Sequence, residues 1–324
     1  MTDPTIAVLL PCYNEEAAIG QTVAAFRAAL PGAAIYVYDN NSRDRTVAVA
    51  EAAGAIVRRE RLQGKGAVVR RMFADVDADI YVMADGDATY DAAAAPALVA
   101  RLLDEQSDMV VGSRVHEAAE AYRRGHQFGN ALLTGMLTRL FGTSFTDILS
   151  GYRVFSRRFV KSFPSLSAGF EIETEISVHA LELKMPVAEV ETRYFARPEG
   201  STSKLSTYAD GWRILRTILG LFRLERPVLF FGAIGAALGL LAVILAAPLV
   251  LTYARTGLVP RVPTAILATG LVILAFLNGF CGLILDTVVR GRREVRRLAY
   301  LALPAPSHAS RSDAAAASPV VARA

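Results

Sequence analysis

The chain has 324 residues, 53% of them hydrophobic, and a formal net charge of only +4. That length leaves room for one domain of about 200 residues and a second module. The small net charge excludes a nucleic-acid footprint, and two cysteines, Cys12 and Cys281, suit a reduced compartment better than a disulfide framework.

Met1-Thr-Asp-Pro4 runs straight into Ile6 to Leu10, which reads as a buried strand, so no signal peptide is expected. A helix follows over Glu15 to Leu30, then a strand over Ala34 to Tyr38. Arg45 to Ala53 reads as a helix and Ala55 to Arg58 as a strand. Gly66 to Ala74 is helical, Ile80 to Ala84 a strand, Ala92 to Glu105 a helix and Met109 to Gly112 a strand. Short apolar runs alternating with helices predict an α/β domain with a mostly parallel sheet and helices on both faces. In such sheets ligands bind beyond the carboxyl ends of the strands. The polar clusters fall at those ends: Pro11 to Glu16, Asp39 to Ser42, Asp85 to Asp87, and Ser113-Arg114.

Further along, Phe128 to Phe141 and Tyr208 to Leu224 are amphipathic, and the second interleaves Trp212 and Ile214 with Arg213 and Arg216. Both suit an anionic membrane surface, or packing on the sheet. Val228 to Leu251 and Thr264 to Leu285 carry no charge, and each is long enough to cross about 30 Å of hydrocarbon as a helix. Gly235-x-x-x-Gly239 would let the two spans pack closely. Arg213, Arg216, Arg223 and Arg226 precede the first span, and Arg290, Arg292, Arg293, Arg296 and Arg297 follow the second. The connector holds only Arg255 and Arg261, so a hairpin with both flanks in the cytoplasm is expected. The Ala-, Ser- and Pro-rich stretch from about Pro304 to Ala324 reads as a disordered tail. The expected division is therefore residues 1–205, 206–227, 228–289 and 290–324, the last a basic segment and tail.

Two carboxylates separated by one glycine, Asp85-Gly86-Asp87, converge at a strand end. Like charges so close repel unless a cation lies between them. Mg²⁺ or Mn²⁺ carrying substrate phosphates suits this pair, and a solvated acidic turn is the alternative. Asn14, Glu15 and Glu16 could instead cap the first helix, and Ser42 or Asp44 the second. Gln63-Gly-Lys-Gly66 could offer N–H groups and Lys65 to a phosphate, or form a plain turn. Glu171, Glu173 and Glu175 alternate with Ile and Thr and read as a solvated face, with a catalytic carboxylate as the alternative. His116, His126, His179 and His308 lack metal-ligand spacing.

The ordered set Pro11-x-Tyr-Asn-Glu15, Asp39-x-Asn-Ser42, Asp85-x-Asp87 and Asp147-x-x-Ser-Gly-Tyr-Arg153 resembles inverting GT-A glycosyltransferases. The similarity is strongest to the polyprenyl-phosphate branch, the dolichol-phosphate-mannose-synthase-like enzymes, and it covers about residues 5 to 225. Arg197-Pro-Glu-Gly-Ser-Thr-Ser-Lys204 is similar to that branch's late Arg-x-x-Gly-x-Ser-Lys segment.

The resemblance implies a GT-A fold and transfer of one sugar from a nucleotide diphosphate sugar to a polyprenyl monophosphate, undecaprenyl phosphate being the expected lipid. It implies that Pro11, Tyr13, Glu15, Asp39, Asn41, Lys65 and Asp85 contact the nucleotide sugar. Asp85 and Asp87 would hold Mg²⁺ or Mn²⁺, and Arg114, Arg153 and Arg124 would meet the acceptor phosphate; Asp87, Arg114 and Arg153 would act in catalysis. The expected setting is the cytoplasmic membrane, and association into homo-oligomers stays open. Two departures stand out: Asn40 replaces the second acid of the usual Asp-Asp-Asn-Ser, and Thr89 or Tyr90 replaces a Gln that often follows Asp-x-Asp. A nucleotidyltransferase, or a catalytically silent scaffold or flippase partner keeping a sugar-nucleotide pocket, are the rival readings.

Overall fold

The structure, a computed structural model, describes residues 3–116, 135, 146–165, 169, 171–197, 216, 219–220, 222–224 and 226–308. Arg124, most of both expected interfacial helices, residues 198–204 and the tail from 309 onward lie outside the described residues. The chain divides into two units, Met1–Gly211 with Arg296–Ala324, and Trp212–Val295.

The first unit is built on a seven-stranded sheet in the order β3-β2-β1-β4-β6-β5-β7. Its strands are β1 (Ile6–Cys12), β2 (Ala34–Asp39), β3 (Ile56–Arg59), β4 (Ile80–Met83), β5 (Met109–His116), β6 (Arg153–Ser156) and β7 (Val187–Tyr194). All neighbours pair in parallel except β6, which runs antiparallel to both β4 and β5. Helices α1 (Ile19–Ala29), α2 (Thr46–Ala52), α3 (Lys65–Asp75), α4 (Ala95–Asp104), α5 (Arg157–Ser162) and α6 (Ile172–Leu183) connect and cover the strands. The sheet is therefore of the mixed, mostly parallel GT-A type expected.

Strands β1 and β4 carry no charged residue, as strands buried on both faces require. Val8 and Leu10 of β1 join Ile19, Val23 and Phe26 of α1 in one buried cluster. Pro11 continues β1 without breaking the sheet, because β4 pairs only as far as Leu9 and beyond that point β1 has β2 alone as neighbour. A missing N–H is tolerated at such an edge position. The expected helix from Glu15 begins only at Ile19. Residues before it form a turn in which Asn14 adopts φ +54°, a left-handed conformation that Asn tolerates.

The second unit contains α7 (Pro227–Thr256) and most of α8 (Val262–Leu301). Their most apolar windows have mean hydropathies of 2.7 and 2.1, long and apolar enough to cross a membrane. A Cβ on Gly235 would stand 2.9 Å from the Ala275 carbonyl oxygen, so glycine there lets the two helices approach. α8 runs on through the arginines after Arg290 to Leu301. Its end belongs to the first unit. There Arg296 pairs with buried Glu182 at 2.5 Å, and Tyr300 Oη donates to Asp108 Oδ2 at 2.8 Å.

Candidate active site

A cleft of about 390 Å³ opens at the carboxyl ends of β1, β2 and β4, the size of a small-ligand site. Pro11, Tyr13, Glu15, Asn40, Lys65, Asp85, Asp87 and Arg197 are among its lining residues. Residues more than a hundred positions apart meet here because parallel strands end on one side of the sheet.

The loops after β1 and β2 are stitched together rather than capping their own helices. Asn14 N–H donates to Ser42 Oγ at 2.8 Å, while Arg43 N–H donates to Asn14 Oδ1 at 2.8 Å. Glu15 N–H reaches Thr46 Oγ1, and Arg45 N–H reaches Glu16 Oε2, both at 2.8 Å. Asp44 Oδ1 does accept from Thr46 N–H at 3.0 Å, as a turn residue would. Asp39 is buried and accepts from Ser42 N–H at 3.2 Å, so it braces the loop beneath the lining surface. Asn41 is exposed, with φ +64°, and its amide donates to Arg61 O and Gln63 Oε1.

Asn40 turns out to be the residue that fixes the next wall. Its Oδ1 accepts from Gly64 N–H at 2.7 Å and Gln63 Nε2 at 3.2 Å, and its Nδ2 donates to the Glu60 and Leu62 carbonyls. A carboxylate could not make the last two bonds. The departure from Asp at this position thus has a local structural reason.

Asp85 and Asp87 point into the cleft from the turn after β4, and the glycine between them is obligatory. A Cβ on Gly86 would lie 2.3 Å from Cys12 Sγ. Burial, followed by the negative charges of Glu15, Asp85, Asp39 and Asp87, pushes the Cys12 thiol up, so it is a neutral part of the wall. Asp87 is buried; its Oδ1 accepts from Thr89 Oγ1 at 2.6 Å and its Oδ2 pairs with Arg197 at 2.7 Å. Burial and then repulsion from Asp85 hold its pKa above the usual carboxylate range. Arg197 arrives because Phe195 N–H bonds to Thr89 O and Tyr90 bridges Tyr194, which fastens the segment after β7 to the turn after Asp87.

Asp85 keeps a partly exposed side chain and pairs through Oδ1 with Lys65 Nζ at 2.5 Å. Lys65, the first residue of α3, also pairs with Glu173 Oε1 of α6 at 2.5 Å. Burial alone would lower the Lys65 pKa, but the charges of Asp85 and Glu173 outweigh it and raise it. The expectation that Glu173 lies on a solvated face is corrected: it is 5% exposed, and Glu171 and Glu175 are half-buried. The periodicity of two was misleading because this stretch opens a helix, where alternating residues do not share a face.

Arg114 and Asp147 form a two-pronged pair, Nε to Oδ2 at 2.6 Å and Nη2 to Oδ1 at 2.8 Å. Burial would raise the Asp147 pKa, yet the Arg114 hydrogen bonds and charge hold it below the usual range. Arg153 corrects a second expectation. It is fully buried, donating from Nε to Ser150 O at 2.8 Å, from Nη1 to Ser177 Oγ at 2.9 Å and from Nη2 to Ile148 O. Its guanidinium is engaged with main-chain carbonyls in the interior and shapes the 147–152 loop, whereas the resemblance placed it against an acceptor phosphate. This loop meets the Asp85–Lys65 pair at Gly151, where a Cβ would lie 3.0 Å from Asp85 Oδ2 and 3.2 Å from Lys65 Nζ.

No cluster of three or more His, Cys, Asp or Glu side chains with metal-site geometry occurs among the described residues. The donor set that is present, two carboxylates on a cleft wall, suits a hard ion that takes its other ligands from phosphate oxygens and water. Sequence reasoning assigned no individual role to Asn40, Asp147 or Arg197, although Asp147 and Arg197 stood in segments it singled out, and it gave Glu173 a catalytic carboxylate only as the alternative to a solvated face.

Residues 7–163 match the model of the family described as Glycosyl transferase family 2. Glycosyltransferase AglJ of Haloferax volcanii is 34% identical over 238 residues, covering 73% of this chain and 78% of that protein. The dolichyl-phosphate hexose transferase of the same organism is 28% identical over 221 residues, 68% of this chain and 95% of that protein. Among solved structures, glucosyl-3-phosphoglycerate synthase from Mycobacterium tuberculosis with Mn²⁺, UDP-glucose and phosphoglyceric acid superposes with a TM-score of 0.55. It is 25% identical and spans 67% of this chain and 79% of that one. With the fold, the cleft beyond the strand ends and these likenesses in agreement, the chain belongs to glycosyl transferase family 2.

Proposed function

We propose that this glycosyltransferase is membrane-anchored and moves a single sugar, with inversion, from a UDP- or GDP-sugar to a polyprenyl monophosphate on the cytoplasmic leaflet. The observation that carries the reading is the Asp85–Asp87 pair on the cleft wall with Lys65 and Arg197 beside it. Support comes from the relative named as a dolichyl-phosphate hexose transferase, from the neighbour bound to Mn²⁺ and UDP-glucose, and from two helices apolar enough to span a bilayer. Undecaprenyl phosphate is the lipid we favour.

Pro11, Tyr13, Glu15 and Asn40 flank the nucleoside, with Asp39 and Asn41 bracing the loop behind them. Asp85 and Asp87 hold Mg²⁺ or Mn²⁺, which when bound supplies positive charge to the departing diphosphate. Arg197 and Lys65 add fixed positive potential where negative charge grows on the leaving group. Arg114, beside Asp147 and over the Tyr194 ring at 5.5 Å, is the guanidinium we assign to the acceptor phosphate. An acceptor phosphate oxygen attacks the anomeric carbon, the carbon–oxygen bond to the diphosphate breaks, and the nucleoside diphosphate leaves with the electron pair. A phosphate monoester, with a second pKa of about 6, is already deprotonated near neutrality, so no general base is required.

The test is to incubate purified protein with a panel of sugar nucleotides and undecaprenyl phosphate, and to read the lipid products by mass spectrometry. A glycosyl phosphoprenol with release of nucleoside diphosphate is expected. Pyrophosphate release, or donor binding with no lipid product across the panel, would refute the assignment.

A further inference from the structure

The Lys65 ammonium is held between two carboxylates, only one of which faces the cleft. Its side chain is 10% accessible and that of Glu173 7%, against 31% for Asp85. Glu173 is not part of the cleft lining, so it grips Lys65 from the side away from the ligand space. Its own carrier is firmly placed: α6 also supplies Ser177, whose Oγ accepts from buried Arg153 and donates to the Glu173 carbonyl. Gly151 closes the remaining side of the ammonium, with Tyr90 Oη accepting from its N–H at 2.8 Å.

We infer that Glu173 is a positioning residue, which by sharing Lys65 with Asp85 keeps the Asp85 carboxylate oriented and negatively charged enough to take a divalent cation. The geometry supports this: Lys65 Nζ stands 2.5 Å from both Asp85 Oδ1 and Glu173 Oε1, so its one positive charge is divided between two carboxylates. Without Glu173, Lys65 and Asp85 become a neutral closed pair, and the ammonium competes with any cation for the same oxygens. With Glu173 in place the ammonium is shared at equal distance between the two carboxylates, and Asp85, itself on the cleft wall, is only partly neutralised by it. Glu173 thus acts through Lys65 and touches neither cation nor sugar nucleotide.

This inference rests on the metal-and-nucleotide reading of the cleft. Its test is Mn²⁺ binding in the presence of UDP, followed by the paramagnetic signal of free Mn²⁺, on the full chain in detergent. Wild type, Glu173→Gln, Lys65→Met and the double variant form one thermodynamic cycle. In the wild-type background Glu173→Gln should weaken Mn²⁺ binding about tenfold, the scale of one charge-assisted contact in competition. In the Lys65→Met background the same change should alter it by less than about twofold, because the intermediary is gone. Equal effects in both backgrounds, or none in the first, overturn the inference. Should Glu173→Gln fail to fold, Glu173→Asp keeps the charge but withdraws it by one methylene, and the same cycle applies. Absence of Mn²⁺ binding by the wild type would instead refute the metal reading itself.

Discussion

Gly86 offers the sharpest test of how the cleft is built. Replacing it by Ala introduces a Cβ 2.3 Å from Cys12 Sγ and 3.3 Å from Ile19 Cδ1. Real carbon–sulfur contacts are far longer, and both neighbours are in the core at 3% and 0% exposure, so one strand end must shift. Overpacking of this kind costs about 1–3 kcal/mol. For a domain of this size that corresponds to a melting temperature lower by roughly 2–12 °C. The shift falls between Asp85 and Asp87, so affinity for UDP with Mn²⁺ should drop as well, by about tenfold or more. The clash has one dominant partner, which makes a rescue possible. In Cys12→Ala/Gly86→Ala the sulfur is gone, and the remaining contacts of 3.3 Å to Ile19 and 3.6 Å to Pro11 O are tolerable. Thermal melting and nucleotide titration of the three variants in detergent decide the matter. A double variant as damaged as Gly86→Ala in both assays would refute the packing argument.

Asp85→Asn or Asp87→Asn should each lower sugar transfer by at least about a hundredfold, as loss of a strong electrostatic stabiliser does, and excess chelator should silence the wild type; full activity in chelator would contradict the metal role. Arg153→Lys should destabilise the domain by about 2–4 kcal/mol through lost charged hydrogen bonds to Ser150 O and Ile148 O. Donor and lipid binding should then weaken together, whereas selective loss of lipid use would return Arg153 to the acceptor site. Burial, and next the charge of Arg296 against that of Glu182, lowers the His179 pKa to about 3. A depressed histidine contributes stability that is complete above its unfolded pKa of about 6.5 and is lost as pH falls below it, by about 2 kcal/mol at pH 5. Denaturant midpoints between pH 7 and 5 should therefore fall in the wild type and fall less in His179→Asn; parallel slopes would show that His179 does not titrate on unfolding. A reporter fused after Ala324 should behave as cytoplasmic and one inserted near Gly257 as external, and the reverse would contradict a cytosolic donor.

Much of the fold is legible in the sequence because it depends on local patterning. The apolar runs at Ile6, Ala34, Ile80 and Met109 become strands, since buried parallel strands need no alternation to be recognised. The same logic finds α7 and α8, whose apolar windows are long and uncharged. β6 escapes it: four residues beginning with an arginine do not read as a central strand, yet Arg153 is satisfied there by carbonyls from its own preceding loop. The end of α8 escapes it too, because Arg296 and Tyr300 look like solvated helix surface until Glu182 and Asp108 are brought beneath them.

The site divides along the same line. Sequence by itself determined that acidic, amide and basic residues gather at the strand ends, since strand termini are set by nearby residues and parallel pairing puts them on one side. Only the tertiary structure decided what each group does there. Asp85 and Lys65 are 20 positions apart, Lys65 and Glu173 more than a hundred, and Asp87 and Arg197 likewise; their pairing depends on how α3, α6 and the segment after β7 pack. A charge's role is fixed by its distance to other charges and by its burial, and both are properties of packing rather than of spacing along the chain.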